Sequence, residues 1–170
     1  IIAYWASDAM RKSFNKGLRL DPTFAHTNTG IMTGDNGRFI RLWWEISSTE
    51  LMVDASDVDQ AQASQKKWFP YNKGGEFRKW YGNNDYVVNW KNDGQEIFSR
   101  FEGEKRFSQN IPREYRFAKS LTWSKISTGS IAFRYKPNGH LFDIAGASLF
   151  ANDQALLYLQ GILNSSIIGK

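Results

Sequence analysis

The 170 residues are 41% hydrophobic, 15% aromatic and 23% charged, and they carry a formal net charge of +5. This composition predicts one folded domain over 1–170 and an acidic partner, and it excludes a disordered chain. The lack of cysteine excludes disulfides and cysteine zinc sites and is compatible with a cytoplasmic location, and no apolar run approaches the ~20 residues of a membrane helix.

The first 65 residues predict a helix, a hairpin and an acidic insertion. Apolar residues at helical spacing over 2–14, followed by Gly17, predict an amphipathic opening helix. The runs NTGIMTGDNG and GRFIRLWWEI predict two strands over 27–46 with a tight turn at 35–37. Residues 47–65 are acidic and weakly helical, and we interpret them as a mobile insertion.

The stretch 66–91, KKWFPYNKGGEFRKWYGNNDYVVNWK, combines eight aromatic residues with six basic and two acidic ones. Stacking faces together with cations are typical of nucleic-acid binding. Composition alone favours a second interpretation, in which the aromatic residues form a buried core. Asn72, the pair Gly74 and Gly75, and the pair Asn83 and Asn84 predict loops inside this stretch, and loops carry function more often than strands do.

The remaining residues predict strands followed by a closing helix. We expect a strand at 86–90, a helix at 95–101, and a meander formed by LTWSKIS, SIAFRY and HLFDIAG. Asn152 is the expected cap of a helix that reaches Leu163. The predicted fold class is α+β, with a twisted mixed or antiparallel sheet flanked by N-terminal and C-terminal helices.

Common catalytic motifs are absent from this sequence. It has no Walker A motif, no GxGxxG after a strand, no HExxH and no GxSxG, and His26 and His140 have no metal-ligand spacing. We therefore assign no catalytic residue, cofactor-binding residue or metal ligand in this chain.

The window GIMTGDNGRF at 30–39 has two interpretations. A hairpin with Gly34 and Gly37 at positive φ would by itself explain the glycines. Its tip would also expose Thr33, Asn36 and Arg38, and Asn pairs with adenine edges whereas Arg pairs with guanine or phosphate.

Several motifs resemble one family of DNA-modifying enzymes. GIMTGDNGRF, RLWWE and KWFPYNKGGEFRKWYGN, together with YWASDAMRKSF, TWSKIS, FDIAGASLF and LYLQGILNS, occur in the same order as in that family. They resemble the target recognition region of the PglX family, the adenine-specific DNA methyltransferases of BREX phage-defence systems. The GxxTGxN and LxGxLNS elements are also similar to TaqI-like methyltransferases and type I specificity subunits.

The resemblance implies a target-recognition-domain-like fold, with cofactor binding and catalysis located in a different domain. In the family, a separate N-terminal domain binds S-adenosylmethionine and carries an Asn-Pro-Pro-Tyr type motif. The four prolines of this chain are never adjacent, so that motif is missing here. We therefore expect no cofactor in this chain, S-adenosylmethionine in a parent enzyme, and a chain that is one piece of a longer polypeptide. The expected partners are double-stranded DNA, the methyltransferase domain and other BREX components.

The leading hypothesis is a DNA specificity domain that does not catalyse methylation alone. The candidate DNA-binding residues are Thr33, Asn36, Arg38, Lys66, Asn72, Lys73, Arg78 and Lys79. The alternative from another class is a protein-interaction module whose aromatic residues dock a partner subunit or a phage protein.

Overall fold

The computed structural model describes residues 7–99, 111–127 and 129–166. This part of the chain has an α+β fold, which confirms the predicted class, with eight strands in two four-stranded sheets and six helices. The strands form two sheets where the sequence predicted one. No helix among these residues is both long enough and apolar enough to span a bilayer.

One sheet is mixed and has the strand order β2-β4-β3-β7. Its strands are β2 (Ile40–Leu42), β3 (Trp68–Asn72), β4 (Tyr86–Asn89) and β7 (Leu141–Phe142). β4 pairs antiparallel with β2 and β3, whereas β7 runs parallel to β3. The strand predicted at 86–90 is thus confirmed as a central strand of this sheet.

The second sheet is antiparallel and has the strand order β1-β8-β5-β6. Its strands are β1 (His26–Asn28), β5 (Ser120–Thr122), β6 (Arg134–Lys136) and β8 (Ser148–Phe150). The first and last strands of the chain therefore lie side by side in this sheet.

The helices lie at both ends of the chain and between the strands. They are α1 (Asp8–Lys16), α2 (Leu20–Thr23), α3 (Asn36–Phe39), α4 (Val58–Ala63), α5 (Lys91–Ser99) and α6 (Asp153–Leu163). Single turns of 3-10 helix occupy Trp43–Glu45 and Arg113–Tyr115. Asn152 caps α6 by accepting a hydrogen bond from the Ala155 N–H, as predicted. The first residues of the predicted opening helix and the last two of the predicted 95–101 helix lie outside the described residues.

The hairpin predicted over 27–46 does not form. β1 pairs with β8 and β2 pairs with β4, so the two strands belong to different sheets. Between them the Asp35 side chain accepts a hydrogen bond from the Arg38 N–H at 3.1 Å and caps α3. An aspartate side chain that accepts from the N–H three residues later caps the start of a helix, so Asp35 favours a helical turn here over a tight β-turn. Gly34 has the predicted positive φ of 69°, but Gly37 is not among the positive-φ glycines.

The predicted meander is also wrong beyond its first hairpin. β5 and β6 pair antiparallel, but β7 crosses to the mixed sheet and β8 returns to pair with β5. Leu141 and Phe142 of β7 are both buried in the larger core. Because both faces of this strand are covered, its sequence shows no alternation of polar and apolar residues.

Two apolar cores support the sheets. The larger one lies on the mixed sheet and includes Phe69, Val88 and Leu141, and the smaller one joins Leu121 and Leu149 to Leu156 of α6. The acidic segment 47–65 contributes three buried residues to the larger core: Ala55, Val58 and Ala61. The mobility proposed for that segment stays a prediction.

Asn72 connects the two sheets where β3 ends. Its side-chain N–H groups donate to the Thr122 hydroxyl on β5 and to the Gly146 carbonyl at 3.0 Å. The residue is 1% exposed. Because a buried amide without partners is costly, these bonds fix the sheets relative to each other at this point.

Candidate nucleic-acid interface

Residues 73–85, termed here the 73–85 loop, connect β3 to β4 and contain the glycine pair. Gly74 and Gly75 have φ of 78° and 110°, which the two glycines adopt without strain. A Cβ on Gly74 would lie 2.7 Å from the Ala145 carbonyl oxygen, so the loop also passes too close to its neighbour for a side chain. The prediction of loop structure inside 66–91 is confirmed.

The middle of the 73–85 loop is attached to the antiparallel sheet. The Trp80 N–H donates to the Phe133 carbonyl at 3.0 Å, and the Trp80 carbonyl accepts from the Tyr135 N–H at 2.8 Å. The Gln160 side chain of α6 donates to the same carbonyl at 2.7 Å. Trp80 thereby pairs alongside the edge strand β6 through one parallel bridge to Arg134, and β6 and α6 both hold its backbone.

The buried side chain of Lys136 binds the end of the 73–85 loop. Its Nζ donates to the carbonyls of Gly82 at 2.8 Å and Asn83 at 3.2 Å, and to the Asn84 side-chain oxygen. Burial and, to a smaller extent, the nearby Arg134 lower the pKa of Lys136 to about 7, and Asp85 opposes the shift. A buried lysine therefore substitutes for the regular hydrogen bonds that this loop lacks.

Arg134 lies two residues before Lys136 on the same strand and is 1% exposed. Its Nη1 donates to the Arg78 carbonyl at 3.3 Å, and its Nη2 donates to the Ser124 hydroxyl at 3.2 Å. Burial lowers its pKa from the ordinary value. Arg134 and Lys136 thus meet the 66–91 stretch from inside the protein.

The outer side of the loop presents aromatic rings and cations. Phe77, Trp80 and Tyr81 are 58%, 53% and 61% exposed. Arg78 is exposed and Lys79 is half-buried. The other aromatic residues of the 66–91 window divide between the core and the surface: Trp68, Phe69, Tyr71 and Trp90 are buried, and Tyr86 is partly exposed. The buried-core interpretation is confirmed for these four buried residues, and nucleic-acid binding by the exposed ones stays a prediction.

Four of the eight predicted DNA-binding residues lie on the loop or where β3 enters it: Asn72, Lys73, Arg78 and Lys79. Lys79 donates to the Asn164 carbonyl at 2.7 Å, and the Lys73 Nζ lies 3.5 Å from an Asp143 carboxylate oxygen. Asn72 is enclosed and fully used between the sheets, so it cannot reach a base edge in this arrangement. Arg78 is the member of this group that is most open to solvent.

The other four predicted residues lie at the opposite end of β4. Because Leu42 pairs with Tyr86 and Ile40 with Val88, the α3 turn lies beyond the end of β4 that is remote from the loop. Asn36 and Arg38 are exposed there, and Arg38 donates to Glu96 at 3.0 Å. Trp68, the first residue of β3, pairs with Asn89, the last residue of β4, at this same end of the sheet. Lys66 lies two residues before Trp68 and is therefore at this end as well.

All four of these residues have protein partners, and Lys66 and Thr33 are the two that are less exposed. Lys66 donates to the Thr49 carbonyl at 2.5 Å. Thr33 is 1% exposed and donates to the Asn36 side-chain oxygen at 2.8 Å, so it positions Asn36 instead of reaching the surface. Asn36 and Arg38 are the accessible members of this second group.

Sequence reasoning did not identify Arg134 and Lys136 as parts of the site. Their signal was present, since Arg134 in the predicted strand SIAFRY and Lys136 directly after it are two positions apart, and such residues of a strand lie on one face. Charged side chains are seldom fully buried, so the pattern indicated a solvated face.

A further cavity lies elsewhere and is lined by both basic and acidic residues. It measures about 820 Å³, and its lining includes Arg113 and Lys119 together with acidic residues. Arg113 lies 2.7 Å from Asp59 and Lys119 lies 2.6 Å from Asp153, so these cations are neutralised internally. Within the described residues no cluster of three metal-ligating side chains occurs, and burial lowers the pKa of His140 to about 4.

Two curated proteins match this chain along nearly its whole length. The adenine-specific methyltransferase PglX of Lacticaseibacillus casei (strain Zhang) is 41% identical over 169 residues, which cover 97% of this chain and 14% of PglX. The adenine-specific methyltransferase BrxX of Escherichia coli O9:H4 (strain HS) is 34% identical over 171 residues, which cover 98% of this chain and 13% of BrxX. No protein-family model matches the chain. The chain is therefore homologous to one short segment of two much longer adenine-specific methyltransferases.

Proposed function

We propose that this chain is the DNA target recognition domain of a site-specific N6-adenine methyltransferase of a BREX-type phage-defence system. The observation that carries the proposal is the 73–85 loop, which exposes three aromatic rings and Arg78 while buried side chains fix its backbone. A rigid loop with stacking faces and cations suits a nucleic-acid surface, because little conformational entropy is lost on binding. The similarity to two adenine-specific methyltransferases supports the same assignment.

The two ends of the mixed sheet suggest two kinds of contact. At the loop end, Arg78 and Lys79 would bind backbone phosphates, which position the protein without reading sequence. At the other end, Asn36 and Arg38 would reach base edges, where amide and guanidinium groups discriminate between bases. β4 spans about 13 Å at ~3.3 Å per residue, which is comparable to the ~12 Å width of the major groove.

Methyl transfer is assigned to another domain of the parent enzyme. That domain would bind S-adenosylmethionine and receive the target adenine, which must leave the base stack for reaction. The present chain would hold the flanking duplex, so its contribution to the reaction is to select the site.

Salt-dependent binding tests the phosphate contacts. The purified chain is titrated onto a labelled mixed-sequence duplex at several salt concentrations, and the affinity is followed by fluorescence anisotropy. We expect Arg78→Ala to weaken binding and to reduce the slope of log affinity against log salt by about 0.9 per lost phosphate contact. Arg113→Ala, which removes an exposed cation paired with Asp59, is the matched control and should leave the slope unchanged. Unchanged affinity and slope for both Arg78→Ala and Lys79→Ala would refute the proposal.

Base reading is tested in cells that carry the intact parent enzyme. Substitutions of Asn36 or Arg38 should change or abolish one methylated motif in the genome, whereas Arg113→Ala should leave the motif intact. A motif that survives every substitution at both ends of the sheet would contradict a role in specificity.

A second candidate function is protein docking. Trp43 and Trp44 are 52% and 56% exposed and contact each other edge to face, and Trp43 is joined to the end of the 73–85 loop by a hydrogen bond to Asp85. Exposed aromatic residues are typical anchors of protein interfaces. A docked partner would show weak salt dependence, whereas phosphate binding weakens steeply as salt rises.

A further inference from the structure

A cavity of about 420 Å³ lies beside the start of the 73–85 loop. One side is formed by Gly75, Glu76 and Phe77, and the other by residues of the segment 124–134. Arg134 belongs to its lining. The cavity therefore connects the exposed loop to one of the two buried cations of β6.

The guanidinium of Arg134 is oriented but not satisfied. Two of its nitrogens donate to the Arg78 carbonyl and the Ser124 hydroxyl, whereas the buried Nε has no hydrogen-bond partner. Among the described residues no carboxylate forms an ion pair with it. A buried charged group with an unused donor is costly, and a bound anion that accepts from it would remove that cost.

The rest of the lining supplies further donors and few negative charges. Ser130 brings a hydroxyl group, whereas the Ser127 hydroxyl is used within its own turn, where it donates to the Gly129 and Ser130 carbonyls. No described residue accepts a main-chain hydrogen bond from Glu76 or Phe77. Glu76 is the lone carboxylate in the part of the lining that the structure describes, and it is exposed enough to turn outward.

We propose that this cavity is a phosphate pocket for the DNA backbone, with the Arg134 guanidinium as its principal donor. The assignment rests on the proposed DNA-binding function. A planar base or an apolar group would leave the buried charge uncompensated, whereas a phosphate accepts several charged hydrogen bonds and balances it. The pocket would provide a fixed phosphate contact behind the more exposed side chains of Arg78 and Lys79.

Inorganic phosphate is the first probe. The isotope-labelled chain is titrated with phosphate, and with chloride at matched ionic strength, while nuclear magnetic resonance follows the Arg134 Nε–H signal and the amides of 75–77. We expect phosphate to shift these signals and chloride to leave them in place. Arg134→Met should abolish the response. Glu76→Gln, which changes an exposed residue and leaves the interior intact, should strengthen phosphate binding.

Duplex DNA is the second probe. Arg134→Met should lower the salt slope of DNA binding by about 0.9, in addition to the loss caused by Arg78→Ala. Two results would overturn the pocket while leaving the proposed function in place: no phosphate shift in the unmodified chain or Glu76→Gln, and a DNA salt slope that depends on Arg78 but not on Arg134. Phosphate shifts without any DNA binding would overturn both the backbone assignment and the proposed function.

Discussion

The Nζ of Lys136 lies 2.8 Å from the carbonyl oxygen of Gly82, fifty-four residues earlier in the chain. This bond and its neighbours connect a buried strand of one sheet to an exposed loop that belongs to the other sheet. The loop is consequently fixed by charge–carbonyl contacts in an apolar interior, where hydrogen bonds to charged donors are strong.

Lys136 should make stability depend on pH above neutrality. Its pKa is about 7 in the folded chain and 10.5 ordinarily, so the unfolded chain binds more protons between these values. The free energy of unfolding should therefore rise with pH from about 7 to about 10, by on the order of 1 kcal/mol per pH unit. Urea denaturation at a series of pH values measures it.

Lys136→Met is the comparison for this pH effect. The variant should lose the rise, and it should also make the 73–85 loop more susceptible to proteolysis because its carbonyls lose their donor. His140 titrates near pH 4 and does not interfere above neutrality. Parallel stability curves for the two proteins would contradict the assignment.

Asn72 should act on stability and not on base reading. Asn72→Ala leaves Thr122 and the Gly146 carbonyl without the amide donors, which should lower the free energy of unfolding by about 1–3 kcal/mol. Thermal denaturation checks the loss. Asn36→Ala, an exposed residue, should change stability by less than about 0.5 kcal/mol and affect DNA binding instead. If Asn72→Ala keeps full stability but loses DNA affinity, our placement of this residue is incorrect.

Gly30 should tolerate no side chain. A Cβ at this position would lie 1.9 Å from the Phe142 carbonyl oxygen, so Gly30→Ala requires a backbone shift next to the Ile31 hydrogen bond to the same carbonyl. We expect a loss of about 1–3 kcal/mol or failure to fold. Gly129→Ala, where no atom lies within 4 Å of the added carbon, is the control and should leave the melting temperature nearly unchanged.

The exposed aromatic residues of the loop should contribute to binding and not to folding. Phe77→Ala and Tyr81→Ala should each leave stability unchanged and, if a base stacks on the ring, weaken single-strand or distorted-duplex binding by about 1–3 kcal/mol. Phe69→Ala, a buried residue of the same window, should lower stability by about 3–5 kcal/mol. Calorimetry of the variants together with anisotropy titrations separates the two effects.

Local patterns in the sequence were sufficient for individual elements and for the loop. Glycines and asparagines marked the 73–85 loop, Asn152 marked the start of α6, and the run at 86–90 marked β4, because caps, turns and short strands depend on neighbouring residues. The order of the predicted strands and helices indicated the α+β class, and the net charge predicted an acidic partner. The homologous motifs pointed to adenine-specific methyltransferases, with which the two relatives agree.

Tertiary structure alone decided which residues belong to the surface. It divided the strands between two sheets, enclosed Thr33 and Asn72, and placed Arg38 and Arg78 beyond opposite ends of β4. It also buried Arg134 and Lys136 beneath the loop that they support. The physical reason is that strand pairing and the burial of charge depend on partners that are distant in the chain, which no local pattern of residues specifies. The side-chain bonds of Asn72 to Thr122, Arg134 to Arg78 and Lys136 to Gly82 each join residues fifty or more positions apart.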